Sequence, residues 1–302
     1  MRRALRIGRH LLVTVSVLVL VLVLGVSGLT AAWLAGWKLP FASGATWMQI
    51  EKLGTADAAG SPTGTFFIAL IGNDAREGRG GARGDALHVV GVNPATNTAT
   101  MLNVPRDTCW RGGKINRAHA SDGPRGQANA LGELLGVNVS YVVSANFPEF
   151  QALVNGVGGI MVDVPVAMND PNSGAFFTPG LQRTDGWGAL AISRNRYDFP
   201  NGDISRTTNQ GIVILGALRT LQAEARGPAG EFKVAALLAR HAQLDGMGLT
   251  DVYRLGRIAF RLNPDTIRNV TIPVTGGSCL GLGGGASTLF ADFADDATLQ
   301  AH

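Results

Sequence analysis

The sequence predicts an α/β fold: an α/β/α sandwich with a central mixed sheet, preceded by one N-terminal transmembrane helix. Three observations carry that expectation. Short apolar runs and amphipathic stretches interleave along the chain, as they do where helices pack on both faces of a sheet. A short Asn-Pro-Ala-Thr-Asn link at 93–97 joins two apolar runs closely enough for a hairpin, which makes the sheet mixed. Leu11 to Trp37 carries no charged residue and outruns the roughly 20 apolar residues that span a bilayer.

Residues 1–10 form a basic segment with Arg2, Arg3, Arg6 and Arg9, and no acidic residue appears before Glu51. The positive-inside rule therefore places the N-terminus in the cytoplasm and the chain beyond Trp37 outside, on a single-pass anchor at 11–37 in the cell membrane. A cleaved signal peptide is the competing reading, but its apolar core would be only about 7–15 residues. Residues 38–62 read as a stalk or linker with one helix near Trp47 to Leu53, and 63–302 as the extracellular domain.

Within the domain, Thr65 to Gly72 is a continuous apolar run ending in glycine, the pattern of a buried strand feeding a loop. Ala86 to Pro94 and Thr98 to Pro105 are the hairpin strands. Gly126 to Gly136 is amphipathic and stops at glycine, hence a helix. A strand at Val139 to Asn146, a helix from Phe147 to a glycine stop at Gly159, and a strand from Ile160 to Val166 follow. Asp185 to Arg196 begins as a helix, Ile204 to Ala225 is a long helix, and Arg268 to Val274 is a late strand. Gly276 to Gly285 reads as a glycine-rich loop.

The four N-terminal arginines account for the whole net charge of +4, so the exported part is neutral, against the basic domain that nucleic-acid binding requires. The two cysteines, Cys109 and Cys279, both fall in the exported part. An even count in an oxidising compartment fits one disulfide; two buried thiols are the alternative. No Lys-Ser/Thr follows the glycines at 78–84 as a P-loop requires, no G-x-S-x-G elbow is present, and His88, His119 and His241 lack metal-ligand spacing.

The chemistry concentrates in three arginine-bearing segments: Ile71 to Asp85, Val104 to Asn116 and Ser193 to Gln210. Arginine presents a planar fork of donors that fits phosphate oxygens and stays charged at any working pH. Asp74 and Asp85 are hard oxygen ligands of the kind Mg²⁺ takes. Arg83 precedes Asp85 by two residues, Arg194 and Arg196 share that spacing, Arg106 follows Pro105 at a strand end, and Lys114 sits on a glycine turn. Arg206 and Gln210 stand one turn apart at a helix start, where the dipole also favours anions. Any one of these pairs is an ordinary surface ion pair. Together they point to a metal-assisted site for a pyrophosphate, with Asp74, Asp85 or Asp107 as the candidate general base.

The ordered set Asp74-x-Arg76, Arg83-Gly84-Asp85, Pro105-Arg106-Asp107-Thr108, Lys114-Ile115-Asn116, Gly158-Gly159, Asp185-Gly186, Arg194-x-Arg196 and Gly202-Asp203 with Arg206 and Gln210 resembles the LytR-CpsA-Psr family, most closely over Thr65 to Leu221. Asn73 stands where the family usually has serine, and Gly84 and Ala86 flank Asp85 where it has serine and threonine; the charged residues are kept. The resemblance implies a phosphotransferase taking a polyprenyl-pyrophosphate-linked glycan as donor and peptidoglycan, or another surface acceptor, as recipient, with release of polyprenyl phosphate. It implies Mg²⁺ on Asp74 and Asp85, and the pyrophosphate on Arg83, Arg106, Lys114, Arg194, Arg196, Arg206 and Gln210. Asp74, Asp85, Arg106 and Arg196 form the expected catalytic set. The alternatives are a Mg²⁺-dependent polyprenyl-pyrophosphate phosphatase and a non-catalytic regulator that binds the lipid pyrophosphate.

Overall fold

The computed structural model describes residues 48–53, 64–75, 82–224, 242–247, 249–277, 279 and 288–291. The basic segment 1–10 and the expected membrane anchor lie outside them. Among the described residues no helix is long and apolar enough to cross a membrane.

The first element corrects an expectation. Met48–Lys52 is a strand, β1, not a helix. It is hydrogen-bonded to strands on both sides, and two ladders outweigh the weak local preference of five residues. The sheet thus reaches back into the segment read as a stalk. β2 (Phe66–Asn73), β3 (Gly84–Asn93) and β4 (Thr98–Asn103) form an antiparallel meander. The β3–β4 turn is the expected one. Asn93 Oδ1 accepts from the amides of Ala95 at 3.0 Å and Thr96 at 3.3 Å, and Asn97 adopts φ 54°.

A small hairpin, β5 (Cys109–Trp110) and β6 (Gly113–Lys114), turns through Arg111 and Gly112, both at positive φ. A 3₁₀ turn at Ile115–Ala118 leads into α1 (His119–Leu135). Asp122 and Gly123 break α1, and Pro124 restarts it. The expected helix from Gly126 is this second part, closed by left-handed Gly136.

β7 (Val139–Asn146) runs into α2 (Phe147–Gly156), whose start is fixed by a reciprocal cap between Asn146 and Glu149. β8 (Ile160–Val164), β9 (Met168–Asp170), β10 (Ala175–Phe177) and β11 (Gly180–Thr184) make two side hairpins, β8 with β11 and β9 with β10. α3 (Gly186–Arg194) and α4 (Asp203–Glu224) follow. Then come β12 (Ala242–Asp245), α5 (Leu249–Arg261), β13 (Arg268–Thr271), β14 (Val274–Gly277) and β15 (Thr288–Ala291).

The central sheet has the order β12-β1-β7-β2-β3-β4-β13 and mixes parallel with antiparallel pairs. Side chains alternate across it. Ala69, Ile71, Leu87, Val89 and Val142 pack on one face with Ala128 and Leu131 of α1. Phe66, Val92, Met101 and Tyr141 pack on the other with Leu215 of α4. A third cluster joins Val154 of α2, Val162 of β8, Ile192 of α3 and Val213 of α4.

A buried polar chain ties α4 to the sheet. His88 Nδ1 lies 2.7 Å from Asn103 Oδ1. Asn103 Nδ2 donates to Asn269 Oδ1 at 2.6 Å, and Asn269 Nδ2 to the Thr208 carbonyl at 3.2 Å. Gly211 lets α4 approach, because a Cβ there would collide with the Asn269 amide.

Cys109 and Cys279 form the expected disulfide, Cα atoms 5.7 Å apart, across 170 residues of chain. Replacing both by serine removes about 2–4 kcal/mol, the usual contribution of such a bridge. Tm should then fall by roughly 5–15 °C. A thermal melt in which the double variant matches the parent would show that the crosslink contributes nothing.

Burial pulls the pKa of His88 from 6.5 down to about 4, against a smaller upward pull from Asn103. The folded protein therefore binds fewer protons at this group than the unfolded chain between those limits. Its contribution is complete above pH 6.5 and is lost as pH falls toward 4, amounting to on the order of 3 kcal/mol. Tm measured across that window should decline less steeply in His88→Gln than in the parent; parallel curves would contradict the assignment.

Candidate functional site

The site begins at an irregularity in the β2–β3 ladder. Gly72 pairs with Ala86 but Asn73 pairs with Gly84, so Asp85 is the extra residue of a β-bulge. A bulge re-aims a side chain out of the regular alternation. Gly84 beside it has no room for a Cβ, which would meet the Leu87 methyl at 2.7 Å and the Gln127 amide oxygen at 2.8 Å. Beyond the bulge, Asp74 N donates to the Arg83 carbonyl at 3.2 Å, and Arg83 N donates to Asp74 Oδ1 at 2.7 Å. Asn73 anchors this end to β7 through a 3.1 Å bond from Nδ2 to Ser144 Oγ, and its Oδ1 accepts from Ala75 N at 3.0 Å.

β4 delivers the next group. After Asn103 the chain turns at Pro105, whose carbonyl accepts from the amide of Thr108 at 3.0 Å and its hydroxyl at 2.7 Å. Arg106 is held in that turn and donates from Nη1 to Asp85 Oδ1 at 2.6 Å. Its Nε faces Asp107 at 3.9 Å, and Lys114 on β6 closes on the other oxygen of Asp107 at 2.8 Å. The start of α4 supplies Arg206, paired with Asp203 at 2.9 Å, and Gln210. Gln210 Nε2 lies 3.5 Å from the Asp85 carbonyl and 3.2 Å from the Ser193 carbonyl, so it joins the bulge, α3 and α4.

Arg106 and Arg206 share one field. Burial lowers the pKa of Arg106, but the bond and charge of Asp85, with the charges of Asp203 and Asp107, outweigh it and leave the pKa raised. Arg206 goes the other way. Its burial is the largest influence, and the positive charge of Arg106 adds to it despite Asp203, Asp85 and Asp107. Two part-buried guanidiniums close enough to disfavour each other are a fitting cradle for a multiply charged anion. Arg106 Nε, Arg206 Nε, Asn116 Oδ1 and Gln210 Oε1 are buried without a protein hydrogen-bond partner. Buried polar atoms of this kind are rare enough to need a reason, and polar ligands are one.

The structure thus brings together Asp85, Arg106, Lys114, Arg206 and Gln210. Asp74 joins through the backbone of Arg83, whose own side chain is exposed. Arg194 and Arg196 stand at a helix end, as their place in the sequence suggests. α3 ends at Arg194, and Arg196 lies beyond the helix after the extended Asn195. Arg194 stacks 5.8 Å from the Phe147 ring; Arg196 lies 5.0 Å from the Tyr197 ring and donates to its hydroxyl at 3.0 Å. Both are exposed, beside Ser193, whose carbonyl Gln210 holds. Arg76 and His241 lie outside the described residues. His88 and His119 are buried, as structural histidines are.

Asp203 went unrecognised as a partner although it stands three residues before Arg206, the spacing of a helical ion pair. Asn116, inside the Lys-Ile-Asn segment, contributes a buried oxygen that no charge pattern marks.

Among the described residues no group of three or more His, Cys, Asp or Glu could hold a metal ion. Asp74 and Asp85 are nevertheless of the kind that fits Mg²⁺, which is commonly bound by one or two carboxylates and completed by water and substrate phosphate oxygens.

With this geometry in view, comparison with known proteins is direct. The LytR_cpsA_psr family pattern matches residues 45–292. A Bacillus licheniformis protein named polyisoprenyl-teichoic acid–peptidoglycan teichoic acid transferase TagU is 35% identical over 159 residues, 51% of this chain and 51% of that protein. The chain therefore spans about half the length of this curated relative. The protein of the same name from Enterococcus faecalis is 29% identical over 222 residues, 70% of this chain and 71% of that one. The fold superposes on the LytR-Csp2A-Psr enzyme of Actinomyces oris with a TM-score of 0.63 at 23% identity, covering 80% of this chain and 91% of that one. On the match across the central sheet and the site, this chain belongs to the LytR_cpsA_psr family.

Proposed function

We propose that the chain is a membrane-anchored phosphotransferase that moves a glycopolymer from a polyprenyl-pyrophosphate donor onto peptidoglycan or another surface acceptor. The observation that carries this reading is the cluster in which Arg106 pairs with Asp85 and Asp107 and Arg206 pairs with Asp203, with the Nε atoms of both arginines buried and without a hydrogen bond within the protein. Family membership and the transferase names of the relatives support it. In this reading Leu11 to Trp37 is the anchor, with the N-terminus in the cytoplasm and the domain outside.

In the reaction, the acceptor hydroxyl oxygen forms a bond to the phosphorus that carries the glycan. The bond from that phosphorus to the bridging oxygen breaks, polyprenyl phosphate leaves, and the hydroxyl proton passes to a base. Catalysis of such a step is mainly positioning and charge stabilisation. Arg106 and Arg206 hold the non-bridging oxygens. Gln210 keeps α4 against the bulge, so the two arginines stay in register. Asp107 orients Lys114 and steadies Arg106 from the side away from Asp85. Mg²⁺ on Asp74 and Asp85 would neutralise phosphate charge as it builds.

The test is release of polyprenyl phosphate from a purified lipid-linked glycan by the full chain with Mg²⁺, with and without peptidoglycan. Acceptor-dependent release with a phosphodiester-linked product is expected; release indifferent to acceptor would make the protein a phosphatase, and binding without release a regulator. Arg106→Ala should lower turnover by about 10²–10³-fold, the usual loss when one oxyanion-stabilising donor is removed. Asp85→Asn should fall by a comparable factor and lose its response to added Mg²⁺. Arg196→Ala, at an exposed position, should cripple turnover with stability kept within about 0.5 kcal/mol. Turnover unchanged in Asp85→Asn would remove the proposed metal role.

A further inference from the structure

α4 carries a buried polar group that no contact within the fold uses. Asn209 is 2% exposed, and its Nδ2 has no hydrogen-bond partner in the protein. Other buried asparagines spend the same atom inside the fold: Asn73 on Ser144, Asn103 on Asn269 and Asn195 on Asp198. An amide donor shut away from water without an acceptor is costly. Beside a binding site, an acceptor atom of the ligand accounts for it.

The helix register sets the direction of that amide. Asn209, Val213, Gly216 and Thr220 follow one another at helical spacing and form one stripe along α4. The rest of the stripe faces β8 and α3. Val213 belongs to the cluster of Val162 and Ile192, a Cβ on Gly216 would collide with the Met161 carbonyl, and Thr220 Oγ1 accepts from the Met161 amide at 2.9 Å. Arg206, one turn before Asn209, is its neighbour on the helix surface. Gln210, the next residue, reaches the Ser193 carbonyl in the last turn of α3 at 3.2 Å. Asn209 thus stands on a border. On one side is the charged cluster of Asp85, Arg106, Asp203 and Arg206; on the other is the apolar cluster of Val154, Val162, Ile192 and Val213.

We propose that Asn209 Nδ2 donates a hydrogen bond to the phosphate on the prenyl side of the lipid-linked pyrophosphate. The inference rests on the transferase reading above, and it adds which of the two phosphates lies where. A polyprenyl pyrophosphate is apolar on one side of its charge and bears sugar on the other. With its charge on the arginines, the prenyl-bearing phosphate is the one that belongs at the apolar border. The amide is neutral, so it adds a bond there without setting another cation against Arg206, which the charge of Arg106 already disfavours. When the bridging bond breaks, the bridging oxygen and its negative charge stay with this phosphate, and a bond to it strengthens as that charge grows.

The test is calorimetric binding of farnesyl phosphate, farnesol and N-acetylglucosamine 1-phosphate to the full chain in detergent with Mg²⁺, beside a thermal melt. Asn209→Leu replaces the amide by a branched apolar group. Asn209→Asp keeps the shape but exchanges the N–H donors for an anion beside Arg206. Both should weaken farnesyl phosphate by about 10- to 100-fold, the usual effect of losing a hydrogen bond to a charged group, and leave farnesol unchanged. Tm of Asn209→Leu should equal or exceed that of the parent, because no bond within the protein is lost. Farnesyl phosphate affinity that matches the parent in both variants overturns the proposal. An equal loss for farnesol, with a lower Tm, makes Asn209 a packing residue and overturns it too. A loss confined to N-acetylglucosamine 1-phosphate puts the amide at the other phosphate and overturns the assignment. In each of these cases the transferase reading stands as long as Arg106→Ala still weakens farnesyl phosphate. A parent chain that does not bind farnesyl phosphate removes that reading and this inference together.

Discussion

The ion pair between Arg106 and Asp85 is the contact on which the rest of the site depends. It joins a residue at the end of one strand to the bulge at the start of its neighbour, so the hairpin must be in register for the pair to exist. Through shared charge it reaches Asp107 and Lys114 on one side and Asp203 and Arg206 on the other. No member of this group is an independent ion pair. Removing one charge changes the field at each of the others, as expected for charges held close in a part-buried cluster.

The framework around that pair is stiff for identifiable reasons. Gln210 holds the bulge and the end of α3 from α4, and Asn269 holds α4 from the edge strand β13. Gly211 permits the second of these by letting the helix backbone come close. The disulfide closes the opposite flank, where β5 follows directly on the turn that presents Arg106 and Asp107. A site that must bring charged groups together against their mutual repulsion needs such supports, because the field itself pushes like charges apart.

Much of this was legible in the sequence because charge and glycine leave local marks. The meander β2–β3–β4, the helix closed at Gly136 and the long α4 all followed from apolar runs with turn residues at their ends. Asp85, Arg106, Lys114, Arg206 and Gln210 were recognisable as a set by residue type and order. What could not be read was geometry set by register. The bulge that makes Asp85 the extra residue depends on which β2 residue opposes Gly84, and only the paired strand decides that. β1 escaped for a related reason: five residues with one clearly buried side chain carry little periodicity, and their two ladders come from β7 and β12, far along the chain.

The carboxylates among the arginines explain how one site can be both built and used. A cluster of cations without counter-charges would strain the fold, and the desolvation that lowers Arg206 shows how little water relieves it. Asp85, Asp107 and Asp203 neutralise the arginines within the protein. Each carboxylate engages only part of a guanidinium's donor set: Asp85 takes Arg106 Nη1, Asp107 lies 3.9 Å from Arg106 Nε, and Asp203 takes Arg206 Nη2. An incoming phosphate therefore need not break these pairs to be held. It can add bonds at the unused donors, while the carboxylates keep the arginines aimed. That arrangement favours an anion whose charge increases along the reaction, since the field is already oriented before the charge develops.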